Sequence, residues 1–199
     1  MTHDPDPFGA DYFDRFYESR ATRVYGPKEI ARLARGVTGM VGWLGGDLEA
    51  VLDVGAGVGL WRDWFAKHRP SVKYRSTDVS AYACERYGHE QRDIARWRAR
   101  ERFDLIVCHG VLQYLGDEDA ALALENIAAM SKGFLFLEVV TARDLVEVCD
   151  TSRTDLQVHA RPGEWYRERL GEHFVTLGCG LHYRKGGRLV FYELEQAGP

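Results

Sequence analysis

The run AVLDVGAGVG at 50–59 admits few folds. Ala50 to Val54 is a short apolar stretch rich in β-branched residues, which reads as a strand buried on both faces. It ends in Gly55, Gly57 and Gly59, after which Leu60, Trp61, Trp64 and Phe65 recur at helical spacing. A strand that turns straight into a helix passes through a tight bend, and glycines let the backbone close on whatever fills the crevice at the strand end. Such a crevice suits a nucleotide. The dinucleotide pattern G-x-G-x-x-G needs a glycine where Leu60 stands, so a nicotinamide cofactor is disfavoured. No Lys-Ser or Lys-Thr follows the glycines, which excludes a P-loop.

The alternation continues along the chain. Pro27 opens an amphipathic helix with Ile30, Leu33, Ala34, Val37, Val41 and Leu44 on one face. Gly36, Gly39 and Gly42 each weaken it by roughly 1 kcal/mol relative to alanine, so it leans on an apolar partner or uses the glycines for close packing. VKYRSTD (72–78) and FDLIVCH (103–109) read as strands, and a helix from Asp117 to Lys132 stops at Gly133, where GFLFLEVV begins another strand. Pro162 opens a last helix through Leu170. FVTLGCGLHYR and GRLVFYELE then read as an antiparallel pair turning at Gly186-Gly187. At 199 residues this is one domain, with an N-terminal helical or lid segment at 1–46 and the α/β core at 47–199. Thr141 to Arg161 is too long and aperiodic for an idle connection, which marks it as a functional loop.

Composition narrows the partners. With 26 Lys plus Arg against 30 Asp plus Glu, the formal charge is -4, and no global positive field draws the chain to nucleic acid or anionic lipid. Arg92, Arg96, Arg98, Arg100 and Arg102 around Trp97 form a short basic cluster, read as the solvated face of a helix. Cys84, Cys108, Cys149 and Cys179 lie far apart, outside any zinc spacing, as reduced thiols do. The acidic start MTHDPDPFG lacks a leader's basic and apolar regions, and no apolar run reaches membrane length, so a cytoplasmic location without membrane contact is expected.

D-x-G-x-G-x-G after a strand resembles the first motif of the class I S-adenosylmethionine-dependent methyltransferases. Asp78 ending the second strand, Asp93-Ile94, FDLIVCHGVLQYL and the strand GFLFLEVV resemble later motifs of the same family, over roughly Val51 to Glu195. The resemblance implies a Rossmann-like α/β/α sandwich around a seven-stranded, mostly parallel sheet with an antiparallel C-terminal strand. It implies S-adenosylmethionine as cofactor and S-adenosylhomocysteine as product. The cofactor contacts it implies are Asp53, Gly55, Ala56, Gly57, Gly59, Trp61, Asp78, Val79, Asp93, Ile94, His109 and Gly110, with Asp78 on the ribose hydroxyls and Asp93-Ile94 at the adenine. Asp78 also stands where it could merely cap the next helix, and its loss is expected to cost affinity and little stability.

Methyl transfer demands alignment, and a base only when the acceptor keeps a proton. His109, at a strand end, is the first candidate base, and His159 in the long loop the second. Tyr12, Tyr17, Gln113, Tyr114, Arg153, Arg161 and Trp165 are candidate acceptor contacts, with Phe8, Phe13 and Phe16 joining the tyrosines in a lid or in a helix packed on the sheet edge. His109-Gly110-Val111-Leu112 replaces the Asp-Pro-Pro-Tyr type of sequence found in family members that methylate exocyclic amines, which disfavours nucleic-acid bases. The metal-dependent catechol type would place acidic ligands at His109 and at Thr141-Ala142, so no metal is expected. The reading is transfer of a methyl group to the oxygen or nitrogen of a small molecule. A non-catalytic cofactor-binding module, or transfer of another group from a related sulfonium, are the alternatives.

Overall fold

The computed structural model describes residues 7–197; residues 1–6, on which the argument against a leader partly rests, lie outside them. Helix α1 (Ala10–Phe13) runs into a wider turn at Asp14–Glu18, and α2 (Pro27–Trp43) follows. Then come β1 (Ala50–Val54), α3 (Leu60–His68), β2 (Lys73–Asp78), α4 (Ala81–Tyr87), β3 (Glu90–Gln91) and β4 (Phe103–His109). A 3-10 turn at Leu112–Tyr114 leads into α5 (Asp117–Met130), β5 (Ser131–Glu138), α6 (Ala142–Glu147), α7 (Gly163–His173), β6 (Phe174–Gly178) and β7 (Leu181–Arg184). The strands form one sheet in the order β3-β2-β1-β4-β5-β7-β6. Only β7 runs against the others, inserted between β5 and β6.

Alternation along the strands builds two cores. Leu52, Ile106, Cys108, Leu135 and Leu137 face α5 and α7, while Val51, Leu105, Val107, Phe134 and Phe136 face α2 and α3. Each fully buried Leu or Phe contributes about 1.5–3 kcal/mol. The same alternation sends Asp53, His109 and Glu138 to the α2/α3 side at the ends of β1, β4 and β5. His109 pairs directly with Glu138 in the parallel register.

One open alternative is decided and two local expectations are corrected. Gly36, Gly39 and Gly42 face open space, so α2 is held by burying Ile30, Ala34, Val37 and Val41 and not by glycine contacts. Gly133 does not stop a helix. It lies inside β5, where a β-carbon would come within 2.6 Å of the Asp104 carbonyl beside a register shift, so close strand approach explains the glycine. The terminal hairpin turns at Cys179-Gly180, both at positive φ (50° and 75°), one turn earlier than Gly186-Gly187. The segment GRLVFYELE forms no strand; Leu189 and Phe191 pack on the α2/α3 core while Val190, Tyr192 and Leu194 face outward.

Candidate functional site

The glycine turn sits at the carboxyl end of the sheet, where β1 meets the topological switch between β2 and β4. Gly55, Gly57 and Gly59 all have positive φ (67°, 58° and 79°), a region that L side chains rarely adopt. The turn is braced from below: Ala56 N–H donates to the Thr77 carbonyl at 3.0 Å, and His89 spans from Ser76 Oγ (2.9 Å) to the Gly57 carbonyl (3.0 Å). From above, the Tyr17 ring lies where a β-carbon on Gly57 would come within 3.2 Å of it. No sequence motif pointed to His89.

Two cavities flank this turn and share Tyr12, Tyr17, Gly55, Gly110 and Tyr114 in their walls. One is lined by Asp78, Val79, Asp93, Ile94, Gly57 and Val111. The other encloses about 1100 Å³, its open mouth included, and is lined by Asp53, Ala56, Trp61, His109, Gln113, Glu138 and Arg153. The sequence-derived cofactor residues thus divide between the chambers. The wall between them is aromatic: Tyr12 donates its hydroxyl to Tyr114 at 2.9 Å and its ring lies 6.1 Å from Tyr17. Burial, with the nearby Asp155 carboxylate adding to it, drives the Tyr12 and Tyr114 phenols above their ordinary range. Tyr12 and Tyr17 thus wall the crevice, while Phe13 packs on Tyr82 and Tyr87.

Two buried carboxylates stand beside the turn. Asp78 accepts Gly57 N–H at 2.8 Å on one oxygen and Ser80 N–H at 2.9 Å on the other. Ser80, whose hydroxyl accepts Ala83 N–H at 3.0 Å, is the cap of α4, so the cap reading belongs to Ser80 and not to Asp78. Asp53 is 1% exposed and accepts the Tyr74 hydroxyl at 2.7 Å. Burial raises its carboxyl to about 7, against the opposing hydrogen bond from Tyr74.

His109 is bound on both nitrogens. The Trp61 indole N–H meets Nδ1 at 3.3 Å, and Nε2 lies 3.1 Å from Glu138 Oε1. An indole N–H only donates, so Nδ1 carries the lone pair and Nε2 the proton that Glu138 accepts. His109 therefore turns no lone pair to the cavity, which corrects its reading as the base. Tyr25 donates to the same Glu138 oxygen at 2.9 Å. Burial works against the charge on Glu138, yet the bonds from His109 and Tyr25 outweigh it and hold the carboxyl below its ordinary value. Sequence reasoning named GFLFLEVV only as a strand and passed over Glu138 within it; a lone carboxylate in an otherwise apolar run was the available signal.

The long loop divides. Cys149, Arg153, Thr154 and Asp155 line the larger cavity, and residues 142–147 are helical. His159 is exposed and lines none of the cavities described, which removes it as a base. Arg161 is also outside them. It is 4% exposed and spends its guanidinium on Asp117 (2.7 Å), the Leu112 carbonyl (3.2 Å), the Tyr166 hydroxyl (3.0 Å) and the Leu115 carbonyl, tying the 3-10 turn to α7. Trp165 stacks between Arg161 (4.9 Å) and Arg169 (3.8 Å), a structural position. The basic cluster lies in turns between β3 and β4 and not on the helix expected of it, with Arg96 paired to Asp93 and Asp119, Arg92 to Glu90, and Arg98 to Asn126.

Comparison with known proteins places this geometry. Residues 52–132 match the family model described as a methyltransferase domain. No curated protein matches the sequence. Among solved structures, the chain superposes on the plantazolicin methyltransferase BpumL in complex with S-adenosylhomocysteine with a TM-score of 0.63, at 14% identity over 85% of this chain and 70% of that one. It superposes on magnesium protoporphyrin IX methyltransferase from Synechocystis PCC 6803 (TM-score 0.55, 18% identity, 89% and 96% covered). The N-methyltransferase NodS from Bradyrhizobium japonicum WM9 follows at a TM-score of 0.53, 20% identity, with 92% and 90% covered. At these identities the likeness is one of fold. The segment from Leu52 to Lys132, with the glycine turn at its head, is thus similar to a methyltransferase domain, and the chain shares the Rossmann-like fold of these S-adenosylmethionine-dependent methyltransferases.

Proposed function

We propose that this enzyme transfers the methyl group of S-adenosylmethionine to the oxygen or nitrogen of a small molecule held in the larger cavity, acting as a single domain in the cytoplasm and without nucleic acid. The observation that carries the reading is the pair of chambers joined at one glycine turn, the first walled by Asp78, Asp93 and Ile94 and the second by Asp53, His109 and Glu138. The residues fit the cofactor. Glycines at positive φ leave room for close backbone approach, and buried carboxylates stand at the ends of β1 and β2. Asp78 would hold the ribose hydroxyls, the pocket at Asp93-Ile94 the adenine, and Asp53 would face the cationic amino acid end. When bound, the sulfonium supplies an activated methyl group. Trp61, Tyr12, Tyr17 and Tyr114 exclude water from the space beside it, and the rigid strand ends fix the line of approach. Among the described residues no helix is long and apolar enough to cross a membrane.

The test supplies methyl-labelled S-adenosylmethionine and a cell extract to the purified protein. Label in the dialysable fraction supports the reading. Label confined to protein or nucleic acid, or tight NADH binding with no heat from S-adenosylhomocysteine, overturns it.

A further inference from the structure

Two hydrogen-bond acceptors on residues of the larger cavity lack matching donors. Gln113 is 6% exposed, and its Oε1 is buried without a partner. A buried amide oxygen left unpaired costs about 1–3 kcal/mol, a cost that a bound N–H donor would cancel. Both protein bonds to Glu138 fall on Oε1, from His109 and Tyr25, which leaves Oε2 free of donors among the described residues. Asp155 adds a second carboxylate to the same wall, and Tyr12, Tyr25 and Trp61 line the space between. Carboxylates set among aromatic faces attract a cation. Arg153 is the one cationic side chain among the lining residues, set against the carboxylates of Asp53, Glu138 and Asp155; one terminal nitrogen bonds the Arg23 carbonyl and its Nε is buried without a partner.

Building on the function proposed above, we infer that the acceptor is a primary or secondary amine on a flat apolar body, its N–H groups held by Glu138 Oε2 and Gln113 Oε1. An ammonium sheds a proton to solvent at the open mouth of the cavity before transfer, after which the neutral amine carries its own lone pair, whereas an alcohol keeps its proton at neutral pH. That lone pair forms the nitrogen–carbon bond as the carbon–sulfur bond breaks with its electrons onto sulfur, cancelling the sulfonium charge. The product is an N-methylammonium, whose charge is paired by Glu138 Oε2 until it leaves.

The test is calorimetric, on full-length protein saturated with S-adenosylhomocysteine, with phenethylamine and its uncharged isostere 2-phenylethanol as probes. Phenethylammonium should bind about tenfold or more tighter than the alcohol. In Glu138→Gln the gap should shrink to within about threefold, while Glu147→Gln, on an exposed helix outside the cavity, keeps it. Equal or tighter binding of the alcohol, no binding of either probe at millimolar concentration, or a gap that survives Glu138→Gln would overturn the inference. The wild-type comparison decides even if Glu138→Gln does not fold. Failure to bind S-adenosylhomocysteine would instead bring down the cofactor reading on which the inference stands.

Discussion

Asp78 takes the backbone N–H of Gly57 at 2.8 Å, so the carboxylate at the end of β2 ties down the glycine turn at the end of β1. The residue expected to grip the cofactor thus also grips the loop that would cradle it. Removing it strands two buried N–H groups, those of Gly57 and Ser80, at about 1–3 kcal/mol each. Asp78→Ala should therefore lower stability in urea melts as well as weaken S-adenosylhomocysteine binding on the order of 10- to 150-fold. The expectation of little change in stability is withdrawn. Asp78→Asn, which keeps one acceptor oxygen, should recover part of the stability and less of the affinity.

Asp53 makes stability depend on pH. Its folded-state carboxyl is raised to about 7 by burial, while the unfolded chain titrates near the ordinary value of 3.8. Between those values the folded protein holds one proton more than the unfolded chain. The stabilisation from this group is complete below the unfolded value and is lost as pH rises through about 7, a change of a few kcal/mol. Asp53→Asn should flatten that slope when unfolding free energies are compared at about pH 5 and about pH 8. A wild-type slope identical to that of Asp53→Asn would show that the carboxylate is ionised throughout.

The Trp61–His109 bond predicts a tautomer. Nitrogen NMR should show the His109 proton on Nε2, and Trp61→Phe should release the ring toward a mixture of forms. A proton on Nδ1 in the wild type would return His109 to the role of base, since Nε2 would then carry a free lone pair.

Arg161 is expected to matter for folding and not for the acceptor. Truncating it leaves the Leu112 carbonyl buried without its donor and cuts the tie between the 3-10 turn and Tyr166. Arg161→Ala should cost about 2–4 kcal/mol in a urea melt, and Arg161→Lys should recover little because a point charge cannot span the several acceptors. A stability loss below about 0.5 kcal/mol would contradict this assignment.

How far the sequence could be read depended on the range of the interaction involved. The glycine turn, β1 and β4 were legible because strand burial and positive φ are written in consecutive residues. The hairpin at Cys179-Gly180 was misplaced because Gly186-Gly187 carries an equal local signal, and only the fit of β7 between β5 and β6 chooses between them. Arg161 and His159 looked alike in a polar loop. Their separation into a buried tie and a solvent-exposed ring is decided by Asp117, Leu112 and Tyr166, contacts distant in sequence for the first two. Glu138 escaped notice for the same reason. Its meaning comes from His109 and Tyr25, which reach it across 29 and 113 positions of chain.

The aromatic partition formed by Tyr12, Tyr17 and Tyr114 serves as a party wall, and a party wall cannot be moved for one tenant alone. Whatever shifts Tyr17 off Gly57 to admit the nucleotide end of the cofactor also reshapes the chamber beside Gln113 and Glu138. The two occupancies are then thermodynamically linked through that one segment, and the linkage is reciprocal: the factor by which S-adenosylhomocysteine changes the affinity for an acceptor is the factor by which that acceptor changes the affinity for S-adenosylhomocysteine.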